Sequence, residues 1–138
     1  MNYEKISSIT KVQRAVERAM KLVIEYLQKE EHPTSEEAHR IVESVLNEHG
    51  CESPEGHIIA SGEQSVDPHE QGTGGINRNE PIVIDIYPRS KISGYYADMT
   101  RTICLGAPQD EVKKMYDDVL EAQTLAASML HPGVECSI

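Results

Sequence analysis

Apolar residues recur at three- and four-residue steps through the start of the chain, at Ile9, Val12, Val16, Met20, Val23 and Leu27. This period predicts a long amphipathic helix over roughly 4–30, its stripe turned to a core. The next run, "HPTSEEAHRIVESVLNEHG", repeats the pattern with Ile41, Val42, Val45 and Leu46. Thr34 is placed to cap its start, Glu37 three residues on completes a capping box, and Gly50 ends it.

The period then changes. "HIIASG", "EPIVIDIYP" and "GYYADMTRTICLG" are rich in β-branched and aromatic residues and are divided by the polar stretches "QGTGGINRNE" and "RSKIS". They predict a middle third dominated by antiparallel sheet. From Pro108 the helical period returns with Val112, Met115, Tyr116, Val119, Leu120, Leu125 and Met129, and "HPG" stops it near Leu130. The expected class is α+β: two helices, an antiparallel sheet, then a long helix. The 138 residues suit one domain, 1–138.

Composition refines this reading. With no Phe and no Trp, the core must be aliphatic, helped by the tyrosines. A formal charge of −10 argues against nucleic-acid and anionic-membrane partners. Cys51, Cys104 and Cys136 are odd in number and lack CxxC spacing, which points to a reducing compartment rather than a disulfide scaffold. The charged N-terminus is unlike a signal peptide, and no apolar run reaches membrane length, so a cytoplasmic location is expected.

Candidate chemistry centres on Asp85 and Asp98. Side chains two apart on a strand share a face, so Val83, Asp85 and Tyr87 point one way while Ile82, Ile84 and Ile86 point the other. Asp98, Thr100 and Thr102 likewise share a face. A hairpin with Asp85 opposite Asp98 and a loop over 88–93 would bring the two carboxylates onto one side, with Cα atoms about 4.5–5.5 Å apart. Opposed like charges between apolar flanks are unfavourable unless compensated. A divalent cation such as Mn, Mg, Ca or Zn would compensate them, whereas Arg101 on a regular strand would face away. Solvated strand ends are the plain alternative.

The stretch "VIDIYPRSKISGYYADMTRT" resembles the pita-bread metallopeptidases, the family of Xaa-Pro dipeptidases, aminopeptidase P and methionine aminopeptidase. Those proteins share an Asp ending an apolar strand, a glycine-aromatic turn, then Asp-x-Thr-Arg-Thr. The resemblance implies that the chain is the N-terminal half of a peptidase catalytic domain. Asp85 and Asp98 would be ligands in a centre of two divalent metal ions (Mn, Co or Zn). "IIASGEQSVDPHEQG" is similar to the family segment ending in a pocket-lining histidine, which maps to His69 as a catalytic group. The family takes a further histidine and two glutamates from a second half of the fold, and neither His131 nor Glu135 has that context. "DIYP" stands where Asp-x-Gly is usual.

The implied activity is metal-dependent hydrolysis next to proline. The implied partners are short peptides with proline in the second position, with a homo-oligomer or a complementing second half covering the open sheet edge. An isolated chain would be incomplete and inactive. The other reading is a non-catalytic peptide- or protein-binding module of the same fold. His57, Tyr95 and Tyr96 read as structural, His32, His39 and His49 as helix residues, and Cys104 as a small core residue. The glycines of "GTGG" read as a flexible loop, not a phosphate cradle.

Overall fold

The computed structural model describes residues 3–135, so Cys136 lies outside the described residues. It has two compact units, residues 1–107 and 108–138. In the first, α1 (Tyr3–Lys29) and α2 (Ser35–Glu48) bury Val12, Val16, Val23 and Leu27 against Ala38, Val42 and Leu46. The heptad-like spacing of these residues builds this contact. The other wall of the core is a three-stranded antiparallel sheet in the order β2 (Ile58–Ser61), β3 (Pro81–Ile86), β5 (Met99–Cys104). Alternation in β3 is strict: Ile82, Ile84 and Ile86 are fully buried, and Val83 and Asp85 face the opposite side. The expected αα, antiparallel β, α order and the aliphatic core are therefore observed.

Thr34 caps α2 as expected, its Oγ1 accepting the Glu37 N–H at 3.2 Å. The reciprocal half of the capping box is absent. The Thr34 N–H donates instead to the Tyr26 hydroxyl at 3.0 Å, and Glu37 pairs with Arg40. Tyr26 thereby ties the end of α1 to the start of α2. Thr34→Ala should lower the unfolding free energy by about 1 kcal/mol, measured by urea denaturation, because it orphans one N–H while leaving the Tyr26 bond in place. A loss under a few tenths would mean the cap is dispensable.

The β3–β5 register corrects one expectation. Thr100, not Asp98, lies directly opposite Asp85, and Asp98 immediately precedes β5. The reason is the connection between the strands. The paired arms run on past Ile86 in one register, Arg89 opposite Tyr96 and the Ser90 N–H on the Tyr95 carbonyl, so the chain turns only over 91–94, while β4 (Arg89–Ser90) also pairs with β1 (Cys51–Glu52). Arg89 and Glu52 form an ion pair at 2.8 Å, and the Ala97 N–H donates to the Pro88 carbonyl. The turn over 91–94, with Gly94 at φ +70, shifts the pairing by two residues from the expected one, which preserves the face of every side chain.

The second unit contains α3 (Asp110–Met129), where the helical period predicts it. None of its side chains is buried. Cys51 and Cys104 are free thiols, Cys51 buried and Cys104 partly so.

Candidate functional site

Asp85 sits on the open face of β3, half-buried, because the strand period that sinks Ile84 and Ile86 into the core turns it outward. Thr100 pairs with it across the ladder, and the threonine hydroxyl donates to Asp85 Oδ1 at 2.6 Å. Asp98, two residues earlier on the same side, is exposed but stands close enough to feel Asp85. Partial burial, then the Asp85 charge and a hydrogen bond with its carboxyl, raise the Asp98 pKa above the usual aspartate value. Tyr87 completes the face, its hydroxyl pKa raised by burial and by the charges of Asp85, Glu55 and Asp98. The structure thus brings both predicted aspartates together through a diagonal rather than a directly opposed pairing.

A shallow cleft of about 240 Å³ opens beside them, lined by Ile58, Val83, Asp85 and Thr100 from the sheet and by residues 65–68 from the following loop. Ser65 and Val66 end a 3-10 turn over Gly62–Val66, and Asp67 and Pro68 lead directly to His69. His69 is exposed at the cleft rim, its N–H donating to Asp67 Oδ1 at 2.8 Å in an Asx turn. The sequence-predicted histidine is therefore adjacent to the cleft without lining it.

The glycine-rich segment behind His69 is pinned, contrary to the flexible loop expected from "GTGG". Gly72 N–H donates to Glu70 Oε1, Thr73 N–H to Gln64 Oε1 and Gly74 N–H to Glu36 Oε1. The Gly74 N–H is also the leading reason that the Glu36 carboxylate pKa is lowered. These three N–H groups are consumed by side chains, so they form no phosphate cradle. The Gln71 carbonyl accepts from Ile59 N–H at 2.8 Å and meets His39 Nε2 at 3.0 Å. His39, assigned no chemistry from sequence, thus helps hold the loop that presents His69.

The donor set suits a hard divalent cation: two carboxylates on one side of the sheet, the proton affinity of Asp98 raised by partial burial and then by the nearby Asp85. Among the described residues no three His, Cys, Asp or Glu side chains gather closely enough to hold a metal by themselves. Thr100 was missed in sequence as a partner of Asp85. Its signal was present in the two-residue spacing from Asp98, yet the partner itself depended on the strand register.

Comparison with known proteins identifies the family and the fold. The pattern of the metallopeptidase family M24 matches residues 7–138. A Xaa-Pro dipeptidase of Pyrococcus furiosus is 33% identical over 133 residues, covering 95% of this chain but 37% of the relative. The crystal structure of the prolidase from Pyrococcus horikoshii superimposes with a TM-score of 0.83 at 32% identity, over 96% of this chain and 38% of that one. An X-Pro aminopeptidase from Thermotoga maritima gives 0.81 at 31% identity, over 97% and 38%. The chain therefore spans little more than a third of these relatives, and its helices and antiparallel sheet match part of the pita-bread fold. With the pattern running from residue 7 to the last residue and the relatives matching along almost the whole length, the chain belongs to metallopeptidase family M24.

Proposed function

We propose that residues 1–138 are the first half of a single catalytic domain of a cytoplasmic, metal-dependent Xaa-Pro peptidase that acts on short peptides with proline in the second position. The observation that carries this reading is the convergence of Asp85 and Asp98 at the edge of a cleft, with Asp98 held above the usual aspartate pKa by partial burial and by Asp85. The P. furiosus relative, an Xaa-Pro dipeptidase by name, supports the substrate class. Asp85 and Asp98 would hold two divalent cations, Mn, Co or Zn, together with ligands from a second half of the fold. When bound, such cations lower the pKa of water to give a nucleophile near neutral pH and polarise the scissile carbonyl.

The chain's own residues have separable tasks. The two carboxylates supply negative charge to the cations, and the apolar cleft walls Ile58, Val83 and Val66 exclude water from a bound peptide. His69, at the rim, donates a hydrogen bond to the oxygen that becomes negative in the transition state. Two carboxylates are a minority of a coordination sphere, so the chain alone binds metal weakly and turns over little substrate, and a complementing half restores turnover. A homo-oligomer would duplicate the aspartates without supplying the missing ligand types.

The test is Mn(II) binding by the whole chain, followed through the EPR signal of free Mn(II), with Asp98→Asn as the comparison and an Xaa-Pro peptide assay alongside. Asp98→Asn should weaken Mn(II) binding about tenfold or more, since it replaces a charged oxygen donor by a neutral one. Equal binding by both proteins, with peptide affinity retained in both, would replace this reading by a non-catalytic peptide-binding module.

A further inference from the structure

We infer that Thr100 is a positioning residue for Asp85: its hydroxyl fixes the rotation of that carboxylate and so sets the chain's affinity for a divalent cation. The inference rests on the metal reading above and adds to it a residue outside the ligand set. Three observations carry it. Thr100 is the cross-strand partner of Asp85, and its Oγ1 donates to Asp85 Oδ1 at 2.6 Å. That is the short distance of a charge-assisted O–H···O⁻ bond. Thr100 itself is exposed, so no packing demand explains a residue with this hydroxyl.

The two ends of the contact differ in stiffness. Asp85 is rooted in β3 between fully buried Ile84 and Ile86, which leaves rotation of the carboxylate as its main freedom. Thr100 is β-branched and held in β5, so its χ1 is restricted and its hydroxyl is delivered from a fixed point. A carboxylate that keeps one oxygen on a fixed donor presents itself to a cation already turned. It also gains a donor that stabilises its negative charge beside Asp98. Outer-shell partners of ligating carboxylates commonly contribute about 10–100-fold in metal affinity.

The experiment is a Mn(II) titration by EPR on the full chain for wild type, Thr100→Val, Thr100→Ser, Asp85→Asn and the Asp85→Asn/Thr100→Val double variant, with far-UV circular dichroism confirming the fold. Thr100→Val keeps the branched shape and removes the hydroxyl, and it should weaken Mn(II) binding about tenfold or more. Thr100→Ser should recover most of that loss. In the double variant Thr100→Val should have no further effect, because the carboxylate it positions is gone. A purely structural threonine would show neither the serine rescue nor this non-additivity. If wild type binds Mn(II) better than Asp85→Asn and Thr100→Val binds as wild type does, the positioning role is overturned while the metal reading stands. If wild type binds no better than Asp85→Asn, the metal reading falls and takes this inference with it.

Discussion

Gly72→Ala should lower the unfolding free energy by about 3 kcal/mol or more and loosen the loop that presents His69. Gly72 has φ +91 and is buried, and a Cβ there would overlap the backbone carbonyl of Ile59 and crowd Ala60 Cα. Backbone on both sides leaves no side chain to swing away. The left-handed conformation alone costs an alanine roughly 1–2 kcal/mol. Moving the loop off β2 then breaks the bond from Ile59 N–H to the Gln71 carbonyl and the contact of His39 Nε2 with the same oxygen. The neighbouring glycines make internal controls. Gly74→Ala, at φ +76 with nothing within 4 Å, should show only the conformational cost of about 1 kcal/mol. Gly75 has open space and no left-handed φ, so Gly75→Ala should fall within about 0.5 kcal/mol of wild type. Urea denaturation of the three variants reads the order directly, and a Gly72→Ala protein as stable as Gly75→Ala would refute the close approach.

The same loop shows why parts of the site were legible in sequence and others were not. Asp85 and Asp98 could be placed on one face because the strand period is two and "PIVIDI" alternates without interruption. That conclusion survived a register error, since the actual offset was an even number of residues. The partner of Asp85 did not survive it. The register follows from where the turn falls, over 91–94 with Gly94 at φ +70 and the Ser90 N–H on the Tyr95 carbonyl, which alternation of apolar and polar residues does not by itself fix. The pinned glycine segment is a similar case. "GTGG" locally favours freedom, but its N–H groups are claimed by Glu70, Gln64 and Glu36, one of which comes from α2. Helices were read well because capping and period are local, as Thr34 and Gly50 illustrate.

The reading of His57 as structural leads to the second large effect, a loss of stability between pH 6.5 and pH 4. His57 immediately precedes β2 and is only 4% exposed, its ring 4.6 Å from that of His39. Neither ring nitrogen has a partner in hydrogen-bond geometry among the described residues. Burial first, and the charge of His39 second, hold the His57 pKa down at about 4, while the nearby His39 backbone only partly offsets them. In the unfolded chain the imidazole has its ordinary value near 6.5. Above that pH both states are neutral and His57 adds no pH dependence. Below it the unfolded state takes up a proton that the folded state refuses, so stability falls with falling pH until the folded pKa is reached. Spread over that window, the loss amounts to roughly 3 kcal/mol. The carboxylates behave differently: the lowered Glu36 loses its contribution only below its ordinary 4.5, and the raised Asp98 favours the folded state as it protonates. Urea denaturation at intervals from pH 7.5 to 4.5 should therefore show a decline in wild type that is largely absent in His57→Leu, whatever the absolute stability of the variant. An NMR titration provides the direct check, with the His57 ring resonances expected to stay unshifted down to about pH 5. A His57 that titrates near 6.5 in the folded protein, or a variant with an unchanged pH slope, would show that the buried imidazole is not the acid-sensitive element.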